Sequence, residues 1–526
     1  MPSTKVSNIL ELDLVPLDKI VQLLPAKDLQ RLSMTNKMLK NHLDDDRFWQ
    51  KFLTKNWWFT RYLPTFQADY KYMMSNAPTK EIERKEMNQE VIRYSTYSNN
   101  GSMMAAFGNE CHLWIFNGET EIFHVCLSKK RHWDKIFTVA FSPDDEHLLV
   151  TGSVDHFFTG TNSRETIIYR IRTDRVSFKS FVNLDHQMLS TWYDNENIIF
   201  MRNGGNREKM RLFICSIDNQ ADILLYPILT FNTRVTKIYV AQHVSPRTRK
   251  IVQIANEAAA SRITLHERLI EIGLAAGVDV TDMSALRGIL DQDSECMPCY
   301  RLHAHRDAVS VSKCNCICHN NTDKLLVFHG TDDKVHIKVI TKETLEIAKN
   351  AFRDSGDSDN PQPHDNRLFS LLQLVTDFDT DDCCFNVELS LLNSSACFSP
   401  NHKYLYITGT RQNTTSSLFS QIKPNCIDLE TMTVQKIPDF EAKNYDVYDH
   451  DVCITANRDF LVLFTDNKVL IYSTAQQGRP IKTIDGFDRS ISSVSIHPYL
   501  NRLIVTTDYS MHIFQSPQMC AEETEQ

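Results

Sequence analysis

The sequence predicts a mainly β protein: a β-propeller of seven or eight blades preceded by a small all-α domain. Three observations predict it. A unit of two apolar strands around a polar turn, followed by a third strand, recurs from residue 95 almost to the C-terminus. Ahead of it, LVPLDKIVQLLPAKDLQRLSMTNKMLKNH (residues 14–42) spaces its apolar residues helically on both sides of a Pro-Ala-Lys-Asp break. And 526 residues exceed what one hydrophobic core normally serves, so a body with an appendage is the expected layout.

In the front segment Leu17, Ile20 and Leu24 share one helical stripe, and Leu29 and Leu32 begin another after Asp28, a plausible N-cap. Leu39, Leu43, Phe48 and Trp49 close a third. Such a knot is near the size, about 40 residues, below which a domain rarely holds itself together without staples or a partner. No cysteine precedes Cys111, so neither a disulfide nor a thiolate metal site can staple it. It is therefore either a cap docked on its own body or an apolar surface kept for another polypeptide. Residues 50–90 carry Trp57, Trp58, Tyr62, Phe66, Tyr70 and Tyr72 at spacings of three and four. These read as a helical stretch clamping the front segment to the body. An RNA-stacking surface is the alternative, and it lacks surrounding basic residues.

Composition narrows the classes. A net charge of −9 with no long basic run argues against nucleic acid as the main partner, and SKKRH (128–132) is the densest basic cluster. The N-terminus has no basic region followed by an unbroken apolar run, and no window approaches the length of a membrane span. Fourteen unevenly spaced cysteines, mostly within apolar segments, suit buried thiols in a reducing compartment. The expectation is a cytoplasmic location, with the nucleus also open, and no nucleic-acid or membrane partner.

The body shows its unit most plainly at TVAFSPDDEHLLVTGS (138–153), ACFSPNHKYLYITGT (396–410) and SVSIHPYLNRLIVTTD (493–508). Weaker copies lie at TYSNNGSMMAAFGNECHLWIF, DHQMLSTWYDNENIIFMRNG, RVTKIYVAQHVSPRTRKIVQIA, NNTDKLLVFHGTDDKVHIKVI and DVCITANRDFLVLFTDNKVLIYS. That makes eight candidate blades, or seven if one is an incomplete unit closing the ring. A single blade has two apolar faces and can bury neither alone, so blades stack radially and ring closure removes the open edges. Only 15 glycines occur in the chain, few for a fold built on tight turns, so the repeat is degenerate.

The repeat resembles the WD-repeat blade, a four-stranded antiparallel unit. In the front segment the order Leu12, Leu17, Lys19-Ile20, Leu24-Pro25-Ala26-Lys27-Asp28-Leu29, Leu32, then Asp44-Asp45, Arg47 and Phe48-Trp49 resembles an F-box. Asp13, Asn36 and Leu39 stand where that motif usually has Pro, Cys and Trp. Over nearly its whole length the chain is thus similar to the F-box/WD-repeat family. The resemblance implies docking on a Skp-family adaptor and, through it, on a cullin-RING ubiquitin ligase, while the propeller holds one or more target proteins. Leu12, Leu17, Ile20, Leu24, Leu29 and Leu32 would bury against the adaptor, with Trp49 supporting that surface. Some members also join ligases through a cullin-four adaptor, although the WDxR-type handle for that route is not evident here.

The domains expected are residues 1–55 (F-box helices), 56–92 (helical aromatic linker), 93–517 (propeller) and 518–526 (tail). Two inserts stretch the blades. Residues 257–295 have helical spacing, and 350–392 include the polar, acidic RDSGDSDNPQPHDNR, where Ser355 and Ser358 could accept phosphate. Cys296, Cys299, Cys316 and Cys318 offer ligand types for zinc. Period-two alternation of Cys314, Cys316 and Cys318 instead suits a strand face, so buried thiols and no cofactor are the default. Asp377, Asp379, Asp381 and Asp382 lack the Gly and closing Glu of a calcium loop. No nucleophile elbow, P-loop or zincin motif occurs, so no catalytic residue is assigned and the chain reads as a non-enzyme.

In a WD-type blade, the connection into the first strand and the one between the second and third open on the same face. That rim would carry SKKRHWD, HFFTGTNSRE, RQNTTSSLFSQIK and FDRS, with Lys130, Arg131, Arg164, Arg411 and Arg489 available to carboxylates or a phosphate. The functional expectation is a substrate receptor of an SCF-type ligase, and the rival is a propeller scaffold that delivers no ubiquitin.

Overall fold

The computed structural model describes residues 72–87, 91–156, 161–183, 187–203, 210–217, 226–231, 235–241, 254, 261, 265–275, 324–330, 334–340, 345, 377–378, 385–386, 395–399, 404–408, 410–412, 420–422, 425–429, 433–436, 454–457, 459–465, 467–474 and 480–517. Among these residues the strands form a β-propeller of seven antiparallel blades. Blade one is Ile92–Tyr97, Met103–Gly108, His112–Asn117 and Thr120–Cys126; blade two is Trp133–Phe141, His147–His156, Thr161–Ile171 and Val176–Asn183. Blade three is Gln187–Trp192, Asn197–Asn203, Met210–Ser216 and Tyr226–Phe231; blade four is Val235–Ala241, Lys324–Gly330, Lys334–Ile340 and Phe385–Asn386. Blade five is Ser395–Phe398, Tyr404–Thr408, Asn425–Asp428 and Thr433–Lys436; blade six is Ile454–Ala456, Phe460–Thr465, Lys468–Ser473 and Lys482–Ile484.

Blade seven joins the two ends of the chain. Ile491–Ile496, Arg502–Thr507 and Ser510–Gln515 are followed in space by Lys80–Glu86, which pairs antiparallel from Lys80↔Gln515 to Glu86↔Ser510. This corrects the expected boundaries: residues 80–86 are not part of a helical linker reaching residue 92 but the closing strand, so the ring begins at Lys80. His512 Nδ1 lies 2.8 Å from Glu81 Oε1 and its Nε2 lies 3.0 Å from Ser510 Oγ, fastening the seam with side chains as well as ladder bonds. Phe487 stands edge-on to His512, 5.4 Å between ring centroids.

Two of the eight candidate units are one blade. Val235–Ala241 pairs with Lys324–Gly330, so the RVTKI unit supplies the first strand of blade four and the NNTDK unit its second and third, with residues 242–323 between the first and second. The helical reading of that insert holds at Leu265–Ala275, whose Leu269 and Ile272 pack against the core shared by blades four and five. The second insert, between the third and fourth strands of blade four, contributes Asp377–Phe378, which pairs parallel with the outer strand of blade three.

The first strand of each blade lies innermost, so it is covered on both faces and loses simple alternation. Ile491–Ile496 (ISSVSI) is buried at every position. Its edge N–H groups face a neighbouring blade rather than a fifth strand, and Ser and Thr hydroxyls meet them. Ser95 N–H donates to Ser493 Oγ (3.0 Å), Tyr97 N–H to Ser495 Oγ (3.2 Å), and Ile496 N–H to Thr455 Oγ1 (3.3 Å). Buried backbone donors need such partners, which explains why the inner strands mix hydroxyls with aliphatics.

The turns between first and second strands share one local device. Ser98, Ser142 and Ser399 each accept, through Oγ, the N–H five residues on: Met103 (3.0 Å), His147 (2.9 Å) and Tyr404 (2.9 Å). Successive turns also grip one another. Asn457 Nδ2 donates to the carbonyls of His497 and Leu500, both at 3.3 Å. His497 reaches the Gly101 backbone, and Asn99 and Asn100 donate backbone N–H groups to Asp145 at 2.7 Å each. The grip runs from blade six across the seam to blade two.

Candidate target-binding face

Four antiparallel strands send alternate connections to opposite faces of a ring. One face holds the first-to-second turns just described. The other holds the second-to-third and blade-to-blade connections, and it is the rim expected to meet a target.

The chain enters the ring on the turn face. Residues 72–76 form a helical turn whose Tyr72 phenol donates to Asp459 Oδ2 (3.2 Å) and whose Asn76 Oδ1 accepts from Asn501 Nδ2 (3.3 Å). Asp459 and Asn501 belong to the first turns of blades six and seven, and Met73 and Ala77 are buried in the core those blades share. Tyr72–Ala77 therefore packs on the side of the ring opposite the rim.

On the rim, blade two carries a cluster of packed aromatic and charged side chains. Trp133, at the start of its inner strand, lies across Gly152 of the second strand and donates Nε1–H to Glu165 Oε2 of the third at 2.7 Å. A β-carbon on Gly152 would sit 2.1 Å from Trp133 Cε3, so only glycine lets the indole lie flat there. On the same strands, Lys135, Ser153 and Arg164 form one cross-strand row. Lys135 Nζ and Arg164 Cζ stand 5.5 Å and 4.3 Å from the centroid of the Phe137 ring, which is 36% exposed. A cation within about 6 Å of a ring face is attracted by its quadrupole.

The expected rim residues divide accordingly. Lys130 is exposed in the short helix Leu127–Arg131 that links blades one and two. Arg131, in that helix, is stacked on Phe181 at 4.4 Å and Phe178 at 5.7 Å, and it is half-buried. Its neighbour Tyr169 has its phenol pushed up to about 12 by burial, with the Arg131 charge pulling the other way. Arg164 belongs to the Phe137 cluster. Arg489, in the connection into blade seven, lies over Tyr509 at 5.6 Å. Arg411 is in a hairpin, Thr410–Gln412 with Ser420–Ile422, inserted between the second and third strands of blade five, so its backbone is on the rim. Lys130, Arg131 and Arg164 thus gather at blade two, while Arg411 is on a separate blade.

Lys135, Phe137, Glu165 and Tyr509 escaped the sequence reading. The aromatic signal was present in WDKIF, but the ring emerges from the blade only because the strand is bulged there. Leu12, Leu17, Ile20, Leu24, Leu29, Leu32 and Trp49 lie outside the described residues, as do Cys296, Cys299, Cys316 and Cys318. Among the described residues no group of three or more His, Cys, Asp or Glu side chains could hold a metal ion. Burial pushes the thiols of Cys111 and Cys215 up to about 12 and 11, so they stay protonated.

Family models match this chain twice: the F-box domain over residues 9–51, and the WD domain, G-beta repeat, over residues 124–158. The second match spans the end of blade one and the first two strands of blade two. No curated protein matches the chain. The chain thus carries an F-box match ahead of a seven-bladed β-propeller formed by the described residues, with a WD-repeat match at blade two.

Proposed function

We propose that the chain is the non-catalytic substrate receptor of an SCF-type cullin-RING ubiquitin ligase, working in the cytoplasm, with the nucleus also open to it. The observation that carries this reading is the F-box match at residues 9–51, ahead of a β-propeller whose rim is open to a target. Leu12, Leu17, Ile20, Leu24, Leu29 and Leu32 complete their apolar surface against a Skp-family adaptor, and Trp49 supports them. Rate enhancement is by proximity: a lysine of the target and a charged conjugating enzyme are held in one complex, which replaces a bimolecular encounter with a local one. The finer kinship we propose, with F-box/WD repeat-containing protein five, rests on the aromatic linker and the late FSPNHKYLYITGTR unit.

The rival is a propeller scaffold that organises partners without ubiquitin. Replacing the protein in cells by Leu17→Asp/Leu24→Asp separates the two. The receptor reading expects at least one bound protein to become more abundant and longer-lived. Unchanged lifetimes for every bound protein favour the scaffold.

A further inference from the structure

The hairpin that joins the third and fourth strands of blade two is basic, and it opens on the turn face, where Ile171 N–H donates to the Glu146 carbonyl at 2.8 Å. Arg170, Arg172, Thr173, Asp174 and Arg175 are all exposed, so packing does not account for the cluster. The ladder ends at Ile171↔Val176, and beyond it Arg172 and Arg175 exchange backbone hydrogen bonds of 2.9 and 3.4 Å. They therefore stand opposite each other across the tip, with Arg170 two residues back on the same side. Like charges placed directly opposite are unfavourable, and among the described residues none of the three guanidiniums has a carboxylate partner. Thr173 lies at the tip between them, its carbonyl accepting Nδ2–H of Asn117 in blade one at 2.9 Å.

We propose that Thr173 is a phosphorylation site for an arginine-directed protein kinase, and that Arg172 and Arg175 hold the phosphate once it is attached. This does not depend on the ligase reading. Arg170 and Arg172 lie three residues and one residue before the hydroxyl, so a peptide groove lined with carboxylates meets both when it takes Thr173. The tip is fixed by little more than the Arg172–Arg175 pair and Asn117, and such a turn opens locally at low cost. In the transfer, Thr173 Oγ1 forms a bond to the γ-phosphorus of ATP and the bond from that phosphorus to its bridging oxygen breaks. ADP leaves, and the hydroxyl proton passes to the base of the kinase. A phosphothreonine brings about two negative charges to a tip of three guanidiniums and one carboxylate. It relieves the repulsion across the hairpin and accepts a fork of N–H groups from either flanking arginine. Modification thus switches this corner of the turn face from cationic to neutral.

The test incubates the full-length chain with magnesium-ATP and a purified kinase that selects arginine three residues before its acceptor, and maps the phosphate by mass spectrometry. Thr173 should be modified, and Arg170→Gln should slow its modification about tenfold. Phosphorus NMR across pH then separates a held phosphate from one that is merely attached. Its second ionisation should lie at lower pH in the folded protein than in the same protein unfolded in urea, because guanidiniums close by favour the dianion. Arg172→Gln and Arg175→Gln should each narrow that gap while keeping the thermal transition of the parent, since both positions are exposed. An unmodified Thr173, the same ionisation in folded and unfolded protein, or a gap that both variants leave intact overturns the proposal.

Discussion

The His497 ring occupies the space that the β-carbon of residue 101 would fill: a carbon built there on Gly101 falls 2.1 Å from both Cε1 and Nε2. Gly101 has φ +75°, a region only glycine enters cheaply. His497 Nδ1 accepts the N–H groups of Tyr499 (3.1 Å) and Leu500 (2.9 Å), which leaves the proton on Nε2 for the Gly101 backbone. Blade seven is thereby keyed into blade one.

Gly101→Ala should therefore be costly. It adds left-handed strain to a clash with a ring that has no room to retreat, together about 3 kcal/mol or more. Thermal unfolding of the two proteins side by side checks it, and a melting temperature unchanged by the substitution contradicts the keying.

Acid dependence at this seam has two opposing parts. Burial holds His497 down to about 4, against an unperturbed value near 6.5, so the stability it contributes is present above about 6.5 and is lost as pH falls through about 4. Burial raises Asp145 to about 6, against the pull of the Asn99 and Asn100 donors, so its contribution is present below about 3.9 and is lost as pH rises through about 6. In Asp145→Asn the His497 part acts alone, and stability should fall more steeply than in the parent between pH 6.5 and 4. In His497→Gln the slope should change in the opposite sense. Denaturant midpoints across that window read both, and matching slopes in all three proteins would dismiss the balance.

Trp133, Gly152 and Glu165 make a second local prediction. Trp133→Phe keeps the apolar bulk but leaves the Glu165 carboxylate without its indole donor, a loss of about 1–3 kcal/mol. Gly152→Ala should cost at least as much, since its new carbon would also stand 2.7 Å from the Lys135 carbonyl. Both are read from urea midpoints. Near-parental values for Gly152→Ala would mean that the indole does not lie across this strand.

Ring closure by Lys80–Glu86 predicts a sharp truncation limit. A chain beginning at residue 72 retains the strand and should run as a monomer with one cooperative transition. One beginning at residue 91 bares the edge of Ser510–Gln515, a strand buried at every position, and should associate or aggregate. Gel filtration distinguishes them, and a monomeric, cooperatively melting shorter chain would show that the seam is dispensable.

The blades were legible because the Ser-centred turn is chemically local: a hydroxyl and an N–H five residues apart leave the same imprint at Ser98, Ser142 and Ser399. The closing strand was not. KEIERKE carries no apolar alternation, since an outermost strand shows much of its surface to solvent. Blade four read as two units because residues 242–323 separate its first two strands, and pairing across such a gap leaves no periodic trace. At the rim, Arg164 could be picked out as a charge on an expected loop, but Phe137 becomes available only through a register break that no residue pattern announces.

The F-box surface is the claim on which the function stands, and adaptor affinity measures it directly. Calorimetric titration of a purified Skp-family adaptor into the full-length chain should give a one-to-one complex. In Leu17→Asp/Leu24→Asp that heat should vanish while the thermal transition of the ring is unchanged. Equal affinity in the double variant, or no binding by the parent chain, would contradict the account.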